Sequence, residues 1–145
     1  MKKINLSAGT FLAIISFSIA GSVIYELPYI RNVYYDKFVE AFGMTNAQVG
    51  FLMSAYAVGC LLLYIPGGIL ADKFSTKKML VLSLMGTGAL GIVMALSMNY
   101  VTALIAFFLF AVTTSFVFWA ALNKGLRIIG GKEDSGSTYG WYYAL

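Results

Sequence analysis

Residues 67–78 read Gly67-Gly68-Ile69-Leu70-Ala71-Asp72-Lys73-Phe74-Ser75-Thr76-Lys77-Lys78, a tight charged turn. The apolar run before it ends Leu61-Leu62-Leu63-Tyr64-Ile65-Pro66, and another begins at Met79. A spanning helix needs roughly 20 mostly apolar residues. A charged hairpin between two runs of that length is therefore what a chain needs to cross a bilayer and return.

The rest of the chain fits that solvent. Of its 145 residues, 60% are hydrophobic and only 11% are charged. A soluble domain of this size has too much surface to hide so many apolar side chains. Four membrane-length segments are expected, from about Ser7 to Asn32, Ala47 to Leu70, Lys78 to Met98 and Val101 to Ile129. The runs are long and continuous, so they do not read as the short alternating strands of a barrel. The fold class expected is all-α and integral to the membrane. Met1-Lys2-Lys3 could open a signal peptide, but the apolar run behind it is too long for one. Thr45 with Gln48 marks a helix start, and Asn99-Tyr100 is a hairpin-length connection. After the polar loop 130–137, residues 137–145 read as the opening of a fifth helix, too short to span. We expect an N-terminal piece of a longer protein, with further helices of that protein as its partner.

Charge sets the orientation. With the N-terminus in the cytoplasm, Lys2, Lys3, Lys73, Lys77, Lys78, Lys124, Arg127 and Lys132 fall inside, and only Arg31 and Lys37 fall outside. Eight against two is a strong positive-inside bias. The net charge of +4 thus reflects a cytoplasmic membrane topology and is no sign of nucleic-acid binding. There is no His and one Cys, Cys60. No metal-ligand cluster, nucleophile motif or phosphate loop points to an enzyme or a cofactor.

The turn at Gly68, Leu70, Ala71, Asp72, Lys73, Lys77 and Lys78 resembles the loop between the second and third helices of the major facilitator superfamily of transporters. Ser75 stands where that pattern has a second Gly, and Thr76 where it has a basic residue. The resemblance implies the first four helices, plus the start of a fifth, of a twelve-helix secondary transporter, with its substrate held between two halves. It also implies that Asp72 meets the N-terminal end of a helix in the other half, and that the basic residues hold the loop at the cytoplasmic surface.

Polar groups inside the bilayer are expensive, about 3 kcal/mol for a charge at its centre, so they mark paths or partners. In the first segment Ser18, Ser22, Tyr25 and Tyr29 form one stripe, suited to line a water-filled path. Glu26 at its edge is a candidate proton-coupling carboxylate, or the structural partner of Arg31. Tyr29-Ile30-Arg31-Asn32 resembles the end of helix one in the organophosphate-exchanging branch of the superfamily, which implies that Arg31 holds an anionic group of the substrate. The planar fork of Arg suits phosphate or carboxylate. In the fourth segment Ser115, Trp119, Asn123 and Arg127 follow at steps of four, with Lys124 alongside. That face either attracts an anion or anchors the cytoplasmic end. The candidate substrate-binding set is Tyr25, Tyr29, Arg31, Trp119 and Asn123, for a small organic anion.

Small residues mark packing faces. Ser83, Thr87, Gly91 and Ala95 give one on the third segment, and Gly50, Ser54, Ala55 and Gly59 give two on the second. Pro66-Gly67-Gly68 is expected to loosen the end of the second helix. Two other functions fit the same residues. One is a complete four-helix dimeric exporter coupled to protons through Glu26. The other is a non-transporting membrane module that binds a partner protein through the face at Gly91.

Overall fold

The computed structural model describes residues 8–131 and 135–144. Among them every element is helical, with no strand. The order is α1 (Ala8–Val33), α2 (Tyr35–Phe42), α3 (Asn46–Lys73), α4 (Thr76–Ser97), α5 (Tyr100–Ala111), a π-helical segment (Val112–Trp119), α6 (Ala120–Gly130) and α7 (Ser135–Ala144). Four helices are long and apolar enough to cross a membrane: α1, α3, α4 and the continuous run Tyr100–Gly130. Lys2, Lys3, Ser7 and Lys132 lie outside the described residues.

Side chains fix the helix ends. Thr45 accepts from the Gln48 backbone N–H, and the Gln48 side chain accepts from Thr45 N at 2.8 Å, a complete capping box at the start of α3. Asn99 accepts from Thr102 N at 2.9 Å and opens α5. Met98, at φ 38°, closes α4 in the left-handed region, so α4 and α5 turn back on one another within two residues.

The core has two clusters. Near the α2 end, Phe38 and Met44 pack with Val49, Leu52, Met94, Phe107 and Phe110. Near the α3–α4 turn, Ile24 and Ala71 pack with Met79, Leu80, Phe118, Leu122 and Leu126. Close helix approach relies on glycine. A Cβ at Gly91 would lie 2.6 Å from Leu27 Cδ1, and one at Gly67 would lie 2.7 Å from the Phe116 carbonyl oxygen.

The structure departs from expectation in four places. The stretch 32–46 is no simple loop, because α2 folds within it. Its Phe38 is buried against Phe42 and Phe107, at ring distances of 4.7 and 6.3 Å. The second helix runs through Pro66-Gly67-Gly68 and past the expected end at Leu70, to Lys73. Asp72 and Lys73 are thus in a last helical turn, and the link to α4 is only Phe74 and Ser75. The fourth span is not one regular helix, as the π-helical segment interrupts it. Finally, the small-residue face of α4 is taken up within this chain except at Ala95, which is exposed. Ser83, Thr87 and Gly91 are buried inside this chain, Gly91 against α1 and Thr87 against the π-helical segment.

Candidate functional site

Between α1, α3 and the π-helical segment lies an open groove of about 820 Å³. Tyr25 and Tyr29 line it from α1, Tyr56, Cys60 and Tyr64 from α3, and Ser115 and Trp119 from the fourth span. The rings brace one another. Tyr29 meets Tyr56 edge-on at 5.9 Å, Tyr25 meets Phe118 edge-on at 6.3 Å, and Tyr25 and Tyr29 stand 6.3 Å apart. Such contacts add to area burial and fix ring orientation. The wall they make is aromatic and hydroxylated, with no charged side chain.

Tyr64, Ser115 and Trp119 also line a second cavity of about 280 Å³, which adds Gly68, Asp72, Asn123, Lys124 and Arg127. Here the surroundings become charged. Lys124 Nζ donates to the carbonyl oxygens of Ala71 at 2.8 Å and Phe74 at 3.1 Å. These belong to the end of α3, where carbonyls lack helical partners and the dipole favours a cation. Lys124 is therefore a brace between α6 and α3. Asn123 is also occupied: its Nδ2 donates to Trp119 O at 2.8 Å, and its Oδ1 accepts from Tyr139 OH at 3.0 Å. Arg127 is exposed and lines the cavity, and its side chain makes no hydrogen bond among the described residues.

The α1 stripe divides. Tyr25 and Tyr29 face the groove, whereas Ser18 is buried beneath α7, where its Oγ donates to Ile14 O at 3.0 Å and Tyr142 O at 3.1 Å. Ser22 Oγ donates to Ser18 O within the same helix. Arg31 is half-buried and lines neither cavity. Two residues past Tyr29, it emerges about 200° further round the helix. Its Nε is buried without a hydrogen-bond partner. Glu26 is exposed, lines neither cavity, and makes no ion pair with Arg31.

In the turn, a Cβ at Gly68 would meet nothing within 4 Å, so this glycine borders open space. Lys77 and Lys78 sit exposed in the first turn of α4. A helix N-terminus disfavours cations, so the helix itself gains nothing from them there. Tyr56 and Tyr64 were not singled out from the sequence, and Cys60 was named there with no role in a path. Their steps of four on one helix were the available signal.

The sequence profile described as "Major Facilitator Superfamily" matches residues 6–145. The inner membrane protein YqcE of Escherichia coli is 35% identical over 92% of this chain and 31% of its own length. The L-fucose-proton symporter of Escherichia coli is 32% identical over 74% of this chain and 25% of its own. The potential vesicular glutamate transporter vglu-3 of Caenorhabditis elegans is 28% identical over 61% and 18%. The chain thus spans about a third or less of the length of these relatives. No solved structure matches it. Four membrane-length helices, the charged turn after α3 and a profile match over nearly every residue lead to one conclusion: the chain belongs to the Major Facilitator Superfamily.

Proposed function

We propose that this chain forms one wall of a secondary transporter that carries a small organic anion across the cytoplasmic membrane, with its N-terminus inside. The observation that carries the reading is the joined pair of cavities. An aromatic, hydroxyl-rich groove leads through Ser115 and Trp119 to a smaller cavity lined by the exposed Arg127. Rings of Tyr and Trp stack on a solute's apolar face, hydroxyl groups meet its polar edge, and Arg takes a carboxylate or phosphate by paired hydrogen bonds. The groove is open along one side, as a wall of a path between two halves would be. The orphaned Nε of Arg31 marks a second place for an anion or for a group from the remaining helices. Tyr25, Tyr29, Trp119 and Asn123 form the substrate face, Glu26 carries the coupled proton, and Asp72 engages the other half. The inner-membrane description of YqcE and the glutamate in the name of vglu-3 agree with this reading.

A second reading, a neutral sugar, is favoured by the lack of any charge in the larger groove and by the fucose named for one relative. The length of the relatives weighs against a complete four-helix exporter. The burial of Gly91 weighs against a docking module.

Uptake by the full-length protein in proteoliposomes separates the two leading readings. A sulphonated or phosphorylated sugar should be taken up and neutral sugars should not compete. Arg127→Ala should weaken uptake, and Glu26→Gln should abolish its dependence on a proton gradient. Uptake of neutral sugars alone, unaffected by Arg127→Ala, would overturn the anion assignment.

A further inference from the structure

The π-helical segment Val112–Trp119 sits at the centre of the wall, and two independent sets of contacts hold it. The first is a chain of hydroxyl groups. Thr114 Oγ1 donates to Phe110 O at 2.6 Å, and Thr113 Oγ1 donates to the same carbonyl at 3.2 Å. Thr113 accepts from Thr87 of α4 at 2.7 Å. Tyr56 OH lies 3.0 Å from Thr114 Oγ1. A Thr hydroxyl has one proton, and that of Thr114 goes to Phe110 O, so Tyr56 is the donor. The network joins α3, the segment and α4 through groups that are largely buried.

The second set is steric. A Cβ at Gly59 would lie 2.6 Å from Ala111 Cβ, one at Gly67 2.7 Å from Phe116 O, and one at Gly86 3.0 Å from Thr113 Cγ2. Three glycines from two helices therefore leave the room that the segment and its entrance occupy.

A wide turn here changes which residues share a face. In a regular α-helix, four residues advance about 40° beyond a full turn. Three such steps from Ser115 would carry Arg127 about 120° away. The i→i+5 turn advances less per residue and removes part of that drift. Ser115, Trp119, Asn123 and Arg127 accordingly line one cavity.

We propose that the π-helical segment registers the fourth span on the solute path, and that Thr114 is the positioning residue that holds it. The Thr114 hydroxyl ties the wide turn to Tyr56 and to the Phe110 carbonyl, which keeps Ser115 and Trp119 turned into the groove. The inference rests on reading that groove as the solute path.

The test uses the full-length protein with Cys60→Ala and a single reporter cysteine, labelled by a water-soluble methanethiosulfonate. Trp119→Cys reports the fourth span, and Ala57→Cys reports the α3 side of the same groove. Thr114→Val should slow labelling of the first reporter about tenfold, the scale of one lost hydrogen bond. The second reporter should keep its rate, and Thr114→Ser should restore the first. Unchanged labelling at position 119, or equal changes at both positions, would overturn the proposal. If Thr114→Val is not recovered from membranes, Gly67→Ala decides, because it presses on the Phe116 carbonyl while leaving the hydroxyl in place. It should slow the position 119 reporter alone, and an unaltered rate there would sink the idea. Labelling needs no solute, so a failure of transport would count against the proposed function and not against this inference.

Discussion

The third and fourth spans carry similar sets of small and hydroxylated residues and use them in different ways. In α4, Ser83, Thr87 and Gly91 recur at steps of four, and all three are buried against the rest of the chain. In the fourth span Thr113 and Thr114 are tied into packing, while Ser115 and Trp119 reach the groove. The third span stays regular and the fourth widens into a π-helix. Polar residues in a membrane helix therefore do not mark a site by their presence. What separates the two spans is whether the side chain is packed away between helices or lines a groove.

The sharpest way to break this comparison is at Gly91. Gly91→Leu should lower stability by roughly 1–3 kcal/mol, because its added bulk must displace Leu27 and overpack the α1–α4 contact. Gly88→Ala, on the same helix with nothing within 4 Å, should be neutral or stabilise by up to about 1 kcal/mol. Melting of the purified protein in detergent measures both, and equal effects would remove the distinction between packed and open faces. A smaller effect is expected at Arg31. Arg31→Ala should reduce anion uptake about tenfold and Arg31→Lys rather less, since Lys keeps the charge and loses the fork. Wild-type uptake in Arg31→Ala, with normal insertion, would leave Arg31 an interfacial anchor. The smallest shift belongs to Thr87→Val, which removes one interhelical hydrogen bond at 2.7 Å. It should lower stability by about 0.6 kcal/mol and disturb uptake less than Thr114→Val does, since the Thr114 bonds stay in place. An effect on uptake as large as that of Thr114→Val would show that the third span shapes the path as much as the fourth.

Much of the fold was legible because bilayer thickness demands long apolar runs, and no other pattern imitates them. The capping box at Thr45 and Gln48 and the Asn99 turn were legible for a local reason, as both complete their hydrogen bonds within three residues. The aromatic half of α1 was readable from its spacing. Other features were hidden because they depend on distant partners. Ser18 reads as a path residue until α7 covers it. Lys124 reads equally as an anion-attracting group or an anchor until the carbonyls at the end of α3 are placed beside it. The π-helical segment packs into room left by Gly59, Gly67 and Gly86 on other helices, which the pattern of residues 112–119 does not contain. The α2 helix is short and owes its place to Phe38 meeting Phe107, a contact that local propensity does not contain.

The Lys124 brace has a mechanical consequence. Its ammonium group grips backbone carbonyls on both sides of the Asp72 turn, so the grip does not depend on any side chain there. The turn and the fourth span are thereby yoked. If Asp72 engages the other half as proposed, a push received there would be transmitted along α6 toward Trp119, with the turn acting as a handle and the aromatic wall as the load.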